Sequence, residues 1–264
     1  MIFKTRTKKV PFYEFFGDTI QGEGPRLKSA VFVRVAGCNN TCKGFGCSAV
    51  APDGSVVTGC DTIRAVSPKF KSRWKYFDNF KDLTSIIDPL VAFKTPEIKH
   101  TKDIILTGGE PLLYWDTNVI QDFLAYYISR KHQITIETNA SLDIEFFKEY
   151  QKEIMFSMSV KLSCSGEPKK KRINIKTISK ILENCPKSYL KFVVNPETWN
   201  TDYAEIKEIL YDLPTYAEVY LMPMGETREL QIKNTPFVFE KCAEHGFSFS
   251  PRAHILAFDT KEGI

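Results

Sequence analysis

Seven short apolar runs alternate with segments of helical spacing along this chain, and that alternation restricts the fold more than any other feature. The runs are Val31–Val35, Asp103–Thr107, Gln133–Glu137, Ile154–Val160, Tyr189–Val194, Glu218–Met222 and Phe247–Ser250. Most are nearly continuous in aliphatic and aromatic residues, which predicts strands covered on both faces. Between them, Asn118–Arg130 sets Ile120, Phe123, Leu124 and Tyr127 on one helical stripe. The spacing also predicts helices over Leu142–Tyr150, Ile175–Glu183, Tyr203–Tyr211 and Pro236–His245. Strands alternating with helices imply βαβ units with right-handed crossovers and a parallel sheet. The expected fold is α/β, a partial (β/α) barrel with about six core parallel strands, and its active site belongs at their C-terminal ends.

A length of 264 residues suits one large domain, here 1–264, with no internal repeat or low-complexity linker dividing it. Hydrophobic content of 43% excludes a disordered chain, and a net charge of +4 is too small to point to nucleic acid. No apolar run reaches the roughly 18 residues of a membrane span, and the first residues lack a signal-peptide core. A cytoplasmic protein without membrane or nucleic-acid partners is therefore expected. The rhythm breaks at residues 43–81, which carry KGFGC, APDG and the basic-aromatic KFKSRWKYFDNFK. That stretch is too long for an ordinary βα loop and reads as an insertion or lid beside a site.

Seven cysteines, four of them between Cys38 and Cys60, argue against a secreted disulfide framework and for a metal or redox site. Cys38 and Cys42 form a C-x3-C pair directly after the Val31–Val35 strand, Cys47 follows after four residues, and Cys60 after twelve more. Thiolates bind soft or borderline metals, so four of them could close a zinc site, while three on an iron–sulfur cluster leave one iron open for chemistry. Cys164, Cys185 and Cys242 are scattered and read as small buried hydrophobes.

With TGGEP (Thr107–Pro111) after the next strand, the C-x3-C element resembles the radical S-adenosylmethionine (SAM) superfamily. TIQGEG (Thr19–Gly24), FVRVAGCN (Phe32–Asn39), CDT (Cys60–Thr62) and SPRAH (Ser250–His254) narrow the resemblance to the 7-carboxy-7-deazaguanine synthase family of queuosine biosynthesis. These matches extend from residue 19 to about 254, nearly the whole chain. The resemblance implies a [4Fe–4S] cluster held by Cys38, Cys42 and Cys60, residues 43–59 looping out between the second and third ligands. Cys47 is the rival third ligand, because the usual C-x3-C-x2-C is not intact.

The resemblance further implies SAM contacts from Gly109 and Glu110, from Ser159, Val160 and Lys161, and from Met222, Pro223, Met224 and Gly225. Val160 stands where the family usually has proline, and Met222 where a polar residue is usual. The implied substrate is 6-carboxy-5,6,7,8-tetrahydropterin, met by Ile20, Gln21, Gly22, Glu23, Arg34, Thr107 and His254. Arg34 suits the substrate carboxylate through bidentate charge-assisted bonds, and equally suits an ion pair near the barrel mouth. Arg252 reaches toward the same pocket. Thr62 is the implied Mg²⁺ ligand, ordered by Asp61. The implied chemistry is one-electron cleavage of SAM, hydrogen abstraction from C6 of the pterin, ring contraction and loss of ammonia, as a carbon–nitrogen lyase. Flavodoxin or ferredoxin as electron donor and a homodimer complete the expectation.

Two other readings stand beside it. An activase that installs a glycyl radical should lack TIQGEG and the CDT threonine. A zinc-stapled RNA-binding module would use the basic stretches Lys69–Lys75 and Lys169–Arg172, although such runs are usually solvated loops.

Overall fold

The computed structural model describes residues 8–261 and 263, apart from 45, 96, 98 and 99. Its strands are β1 (Val10–Ile20), β2 (Ser29–Val35), β3 (Cys47–Val50), β4 (Val56–Gly59), β5 (Lys75–Phe77), β6 (Asp103–Gly108), β7 (Ile134–Thr138), β8 (Met155–Met158), β9 (Tyr189–Val194), β10 (Glu218–Pro223) and β11 (Ser248–Phe249). Nine of them form one sheet in the order β11-β10-β9-β8-β7-β6-β2-β1-β5. Every pairing from β11 across to β2 is parallel, and β1 and β5 close the far edge antiparallel. The predicted parallel α/β sheet of the partial-barrel type is thus present.

Continuous apolar runs became strands buried on both faces: β8 is buried along its whole length, and β6 along all but its last residue. The Asn118–Ser129 helix inserts Ile120, Phe123, Leu124 and Tyr127 into the main core, where they meet Ile104, Leu106, Ile134 and Ile136 of the sheet. This is the stripe expected from the helical spacing.

Elsewhere local chemistry overrode periodicity. The segment expected as a helix over 142–150 is irregular, ending in a short 3-10 turn at Glu149–Glu153. Gln151 Oε1 accepts from the backbone N–H groups of Phe147 and Lys148, a side-chain substitute for helical bonds. The last long helix starts at Arg228, not Pro236, capped by the Thr227 side chain. A helix over Phe80–Val91, capped by Asn79, and the strand β1 were not anticipated; Pro89 and the charges Glu14 and Asp18 mask their patterns.

Residues 43–81 are ordered into elements. β3 and β4 pair as an antiparallel hairpin, followed by the helical turn Ile63–Val66, the 3-10 turn Pro68–Arg73 and β5. Ala49, Ala51 and Phe70 form a small separate core with Val57 and Ile63 packed against it. Because β5 pairs with β1, this excursion is anchored to the sheet at its far end and to the cysteine loop at its start.

Candidate active site

The cysteine loop is seated by the glycines of TGGEP. Gly109 donates its N–H to Val35 O at 3.1 Å, and Glu110 N–H to Gly37 O at 2.8 Å. A Cβ on Gly109 would lie 1.9 Å from Gly37 O, and Gly108 holds φ at +129°, a conformation that side chains disfavour. Glycine is therefore required for the end of β6 to lie against the backbone that leads into Cys38. Gly37 N–H in turn donates to Ala65 O at 2.7 Å, tying the turn after Cys60 to the same place.

Cys38, Cys42, Cys47 and Cys60 all line one cavity of about 950 Å³ at the C-terminal ends of the parallel strands. Burial pushes the Cys38 thiol up to about 12, with Glu110 and the Cys42 and Cys60 sulfurs adding to the shift. Cys42 is raised for the same first reason, with Cys60 next among the charges that raise it. Cys47, pushed up to about 11 by burial, faces Asp61, Glu226 and Arg252. Cys60 is thus an electrostatic neighbour of each of Cys38, Cys42 and Cys47, and all four thiols share one cavity lining.

Among the described residues, no three His, Cys, Asp or Glu side chains converge on a point that would hold a single metal ion. A cubane cluster does not ask for that, since each thiolate meets its own iron at a separate corner. Buried thiols whose ionised forms would repel one another fit such a cationic iron core, which supplies the compensation the thiolates lack. An unpaired buried amide in the same wall, Asn40, fits a polar guest as well.

The same cavity is lined by a chain of paired charges. Arg252 donates through Nη2 to Asp61 Oδ2 at 2.8 Å, through Nε to Glu23 Oε1 at 3.2 Å and through Nη1 to Gly225 O at 3.0 Å. Lys191 Nζ donates to Glu23 Oε2. Burial by itself would raise the Glu23 carboxyl, but the Lys191 and Arg252 charges outweigh it and hold the group well below the carboxylate range. His254 is lowered, first by burial, with Glu23 opposing the shift.

A second polar unit is centred on Glu137. Gln21 Nε2 donates to its Oε1 at 3.0 Å, and Thr107 Oγ1 to its Oε2 at 2.7 Å. Arg34 Nε donates to Glu14 Oε1 at 2.7 Å, the ion pair foreseen as one role for it, while still reaching the cavity wall. Lys161 Nζ donates to Ser159 Oγ at 3.0 Å, and both face the cavity with Val160.

Of the other expected site residues, Gly109, Met222, Met224, Ile20, Gln21, Glu23, Thr62, Thr107 and His254 line the cavity. Thr62 Oγ1 is 3.3 Å from Cys60 Sγ, whereas Asp61 turns to Arg252. Glu110, Pro223, Gly22 and Gly225 lie behind the wall. Glu110 is fully buried and accepts from Thr138 Oγ1 at 2.6 Å, Asn139 N–H at 2.8 Å and Leu112 N–H at 3.0 Å, so most of its capacity is spent bracing β7 against the glycine turn. Gly22 leaves room for the C-terminal segment: a Cβ there would lie 2.5 Å from His254 Nδ1.

Lys191 is among the wall residues that sequence reasoning did not select. Lys191 had a legible signal, a lone charge inside the apolar run YLKFVV. The basic run Lys169–Arg172 is not a free cationic patch: Lys169 pairs with Glu208, Lys171 with Glu167 and Arg172 with Glu205. Among the described residues no helix is long and apolar enough to cross a membrane.

Residues 20–184 match the family described as "4Fe-4S single cluster domain", and the chain belongs to it. Two curated relatives carry the name 7-carboxy-7-deazaguanine synthase. That of Halobacterium salinarum is 28% identical, the alignment covering 95% of this chain and 91% of the relative. That of Pyrobaculum aerophilum is 28% identical, covering 97% and 98%. The fold matches the crystal structure of QueE from Escherichia coli with a TM-score of 0.64 at 19% identity, covering 93% of this chain and 95% of that one. The recognition made on the motifs, a radical SAM enzyme of the synthase type, agrees with the relatives.

Proposed function

We propose that this enzyme converts 6-carboxy-5,6,7,8-tetrahydropterin to 7-carboxy-7-deazaguanine, releasing ammonia. The observation that carries the reading is one cavity lined both by the clustered thiols Cys38, Cys42, Cys47 and Cys60 and by the Glu23–Lys191–Arg252 and Gln21–Glu137–Thr107 units. At about 950 Å³ it stands at the upper end of ligand pockets, room for a cofactor and a substrate side by side. When bound, the cluster and SAM supply one electron and a carbon radical.

Cys38, Cys42 and Cys60 are the cluster ligands on this reading, Cys60 by its place in the CDT motif, with Cys47 of the same cavity as the rival third ligand. Gly109, Ser159, Val160, Lys161, Met222 and Met224 border the cofactor's place, while Glu110, Pro223 and Gly225 hold that border from behind. Glu137 and Gln21 offer an acceptor and an amide in the arrangement a pterin edge can pair in plane. Arg34 meets the substrate carboxylate, which then competes with Glu14 for the guanidinium. His254, lying against Gly22, borders the substrate on this reading.

Thr62 offers Mg²⁺ one hydroxyl, and the nearest carboxylate, Asp61, is already paired with Arg252. Mg²⁺ keeps several waters and takes substrate oxygens, so a single protein ligand is compatible with an ion brought in with the substrate. We read the chain as one domain in which residues 43–81 are an insertion, and expect a cytoplasmic homodimer served by flavodoxin or ferredoxin. The test is anaerobic reconstitution with iron and sulfide, followed by incubation with the carboxypterin, SAM, reductant and Mg²⁺. Formation of 7-carboxy-7-deazaguanine supports the reading; its absence from a protein carrying a full cluster and bound SAM rejects it.

A further inference from the structure

Asn39 and Asn40, adjacent in the loop between Cys38 and Cys42, have opposite fates. Asn39 is fully used: its Nδ2 donates to Ser141 Oγ at 2.8 Å, and its Oδ1 accepts from Asn139 Nδ2 at 2.9 Å. Asn40 is only 2% exposed, yet neither Nδ2 nor Oδ1 has a hydrogen-bond partner. Its backbone N–H donates to Cys38 Sγ at 3.4 Å, and the residue belongs to the wall of the cavity that the thiols line.

A buried amide with no partner is costly, so native structures rarely retain one without a guest to satisfy it. The lining that Asn40 shares carries the Cys38, Cys42 and Cys60 sulfurs, and its own backbone N–H already meets Cys38 Sγ. A thiolate or a bridging sulfide is rich in electrons and only accepts, so it selects the NH₂ end of the amide whichever way the group is drawn. Hydrogen bonds to cluster sulfurs stabilise the more negative, reduced state and so raise the potential.

We propose that the Asn40 side chain is a positioning and tuning residue whose Nδ2–H₂ donates to a sulfur of the bound iron–sulfur cluster, alongside its own backbone N–H. This rests on the reading of Cys38, Cys42 and Cys60 as cluster ligands. The Cys38–Cys42 loop then delivers two donors from one residue, one fixed in the backbone and one that becomes satisfied only when the cluster is in place.

The test compares the unsubstituted protein with Asn40→Leu and Asn40→Ala after anaerobic reconstitution. Iron and sulfide are counted, the cluster potential is measured by a titration followed by electron paramagnetic resonance, and exchangeable protons are detected by hyperfine spectroscopy in D₂O. The expected result is equal iron content, a potential shifted to more negative values in both variants, and loss of an exchangeable-proton coupling that the unsubstituted protein shows beyond its backbone N–H. Unchanged potential and unchanged couplings overturn the proposal. Should neither variant take up a cluster, the spectrum of the unsubstituted protein alone decides: no coupling beyond one backbone N–H rejects the role. If the unsubstituted protein binds no cluster at all, the ligand reading fails instead, which separates the two claims.

Discussion

Arg252 Nη2 donates to Asp61 Oδ2 at 2.8 Å, joining positions 191 residues apart in the chain. The same guanidinium reaches Glu23, so one side chain near the C-terminus bridges the TIQGEG and CDT motifs. Three segments that look independent in sequence are thereby one electrostatic unit, and its energetics are open to measurement.

Replacing Arg252 with methionine strands Glu23 with Lys191 alone and frees Asp61, at the cost of a buried pair. Removing one partner of such a pair costs about 3–5 kcal/mol. Urea unfolding of the apoprotein should show a loss of that size, partly relieved when Asp61→Asn is added. Additive effects of the two substitutions would mean that the contact carries no coupling energy.

Gly109→Ala tests the seat of the cysteine loop. The added methyl collides with Gly37 O, and overpacking of this kind costs about 1–3 kcal/mol or more where backbone must move. Gly46→Ala is the control, since its Cβ would meet open space, although its φ of +77° brings a smaller strain of its own. Gly109→Ala should be the less stable of the two and bind less iron after reconstitution. Equal stability and equal iron would show that the close approach is not needed.

Cys60→Ala should lose the cluster, and Cys47→Ala should keep it, as judged by iron content and visible absorption. The reverse pattern would make Cys47 the third ligand and give the hairpin a direct part in cluster binding.

His254 supplies a pH signature. Burial and the nearby Arg252 lower its titration, and Glu23 opposes them by favouring the charged ring. Its NMR titration should therefore lie below that of an exposed histidine near 6.5, and Glu23→Gln should move it lower still. Because the folded state binds that proton less readily than the unfolded chain, this group destabilises the fold as pH falls through the unfolded value. An upward move in Glu23→Gln would contradict the assigned neighbours.

The parallel sheet was legible because Tyr189–Val194, Glu218–Pro223 and Asp103–Gly108 are apolar almost throughout, a pattern with few other solutions. β1 was not, since Glu14 and Asp18 interrupt it, and their role appears only in space: Glu14 pairs with Arg34, and Asp18 with Lys102. Cavity residues lying inside recognisable motifs were found from sequence. Lys191 was missed because a buried charge in a strand declares its purpose only through its partner, here Glu23. Gly109 of TGGEP, expected as a SAM contact, also makes room for the backbone of Val35–Gly37.

The central claim is that thiols and polar units share one cavity so that a radical made there reaches a substrate held beside it. A carboxypterin deuterated at C6 tests this most directly. In anaerobic turnover the account predicts deuterium in 5′-deoxyadenosine or in recovered SAM. Product formed with deuterium in neither would contradict it.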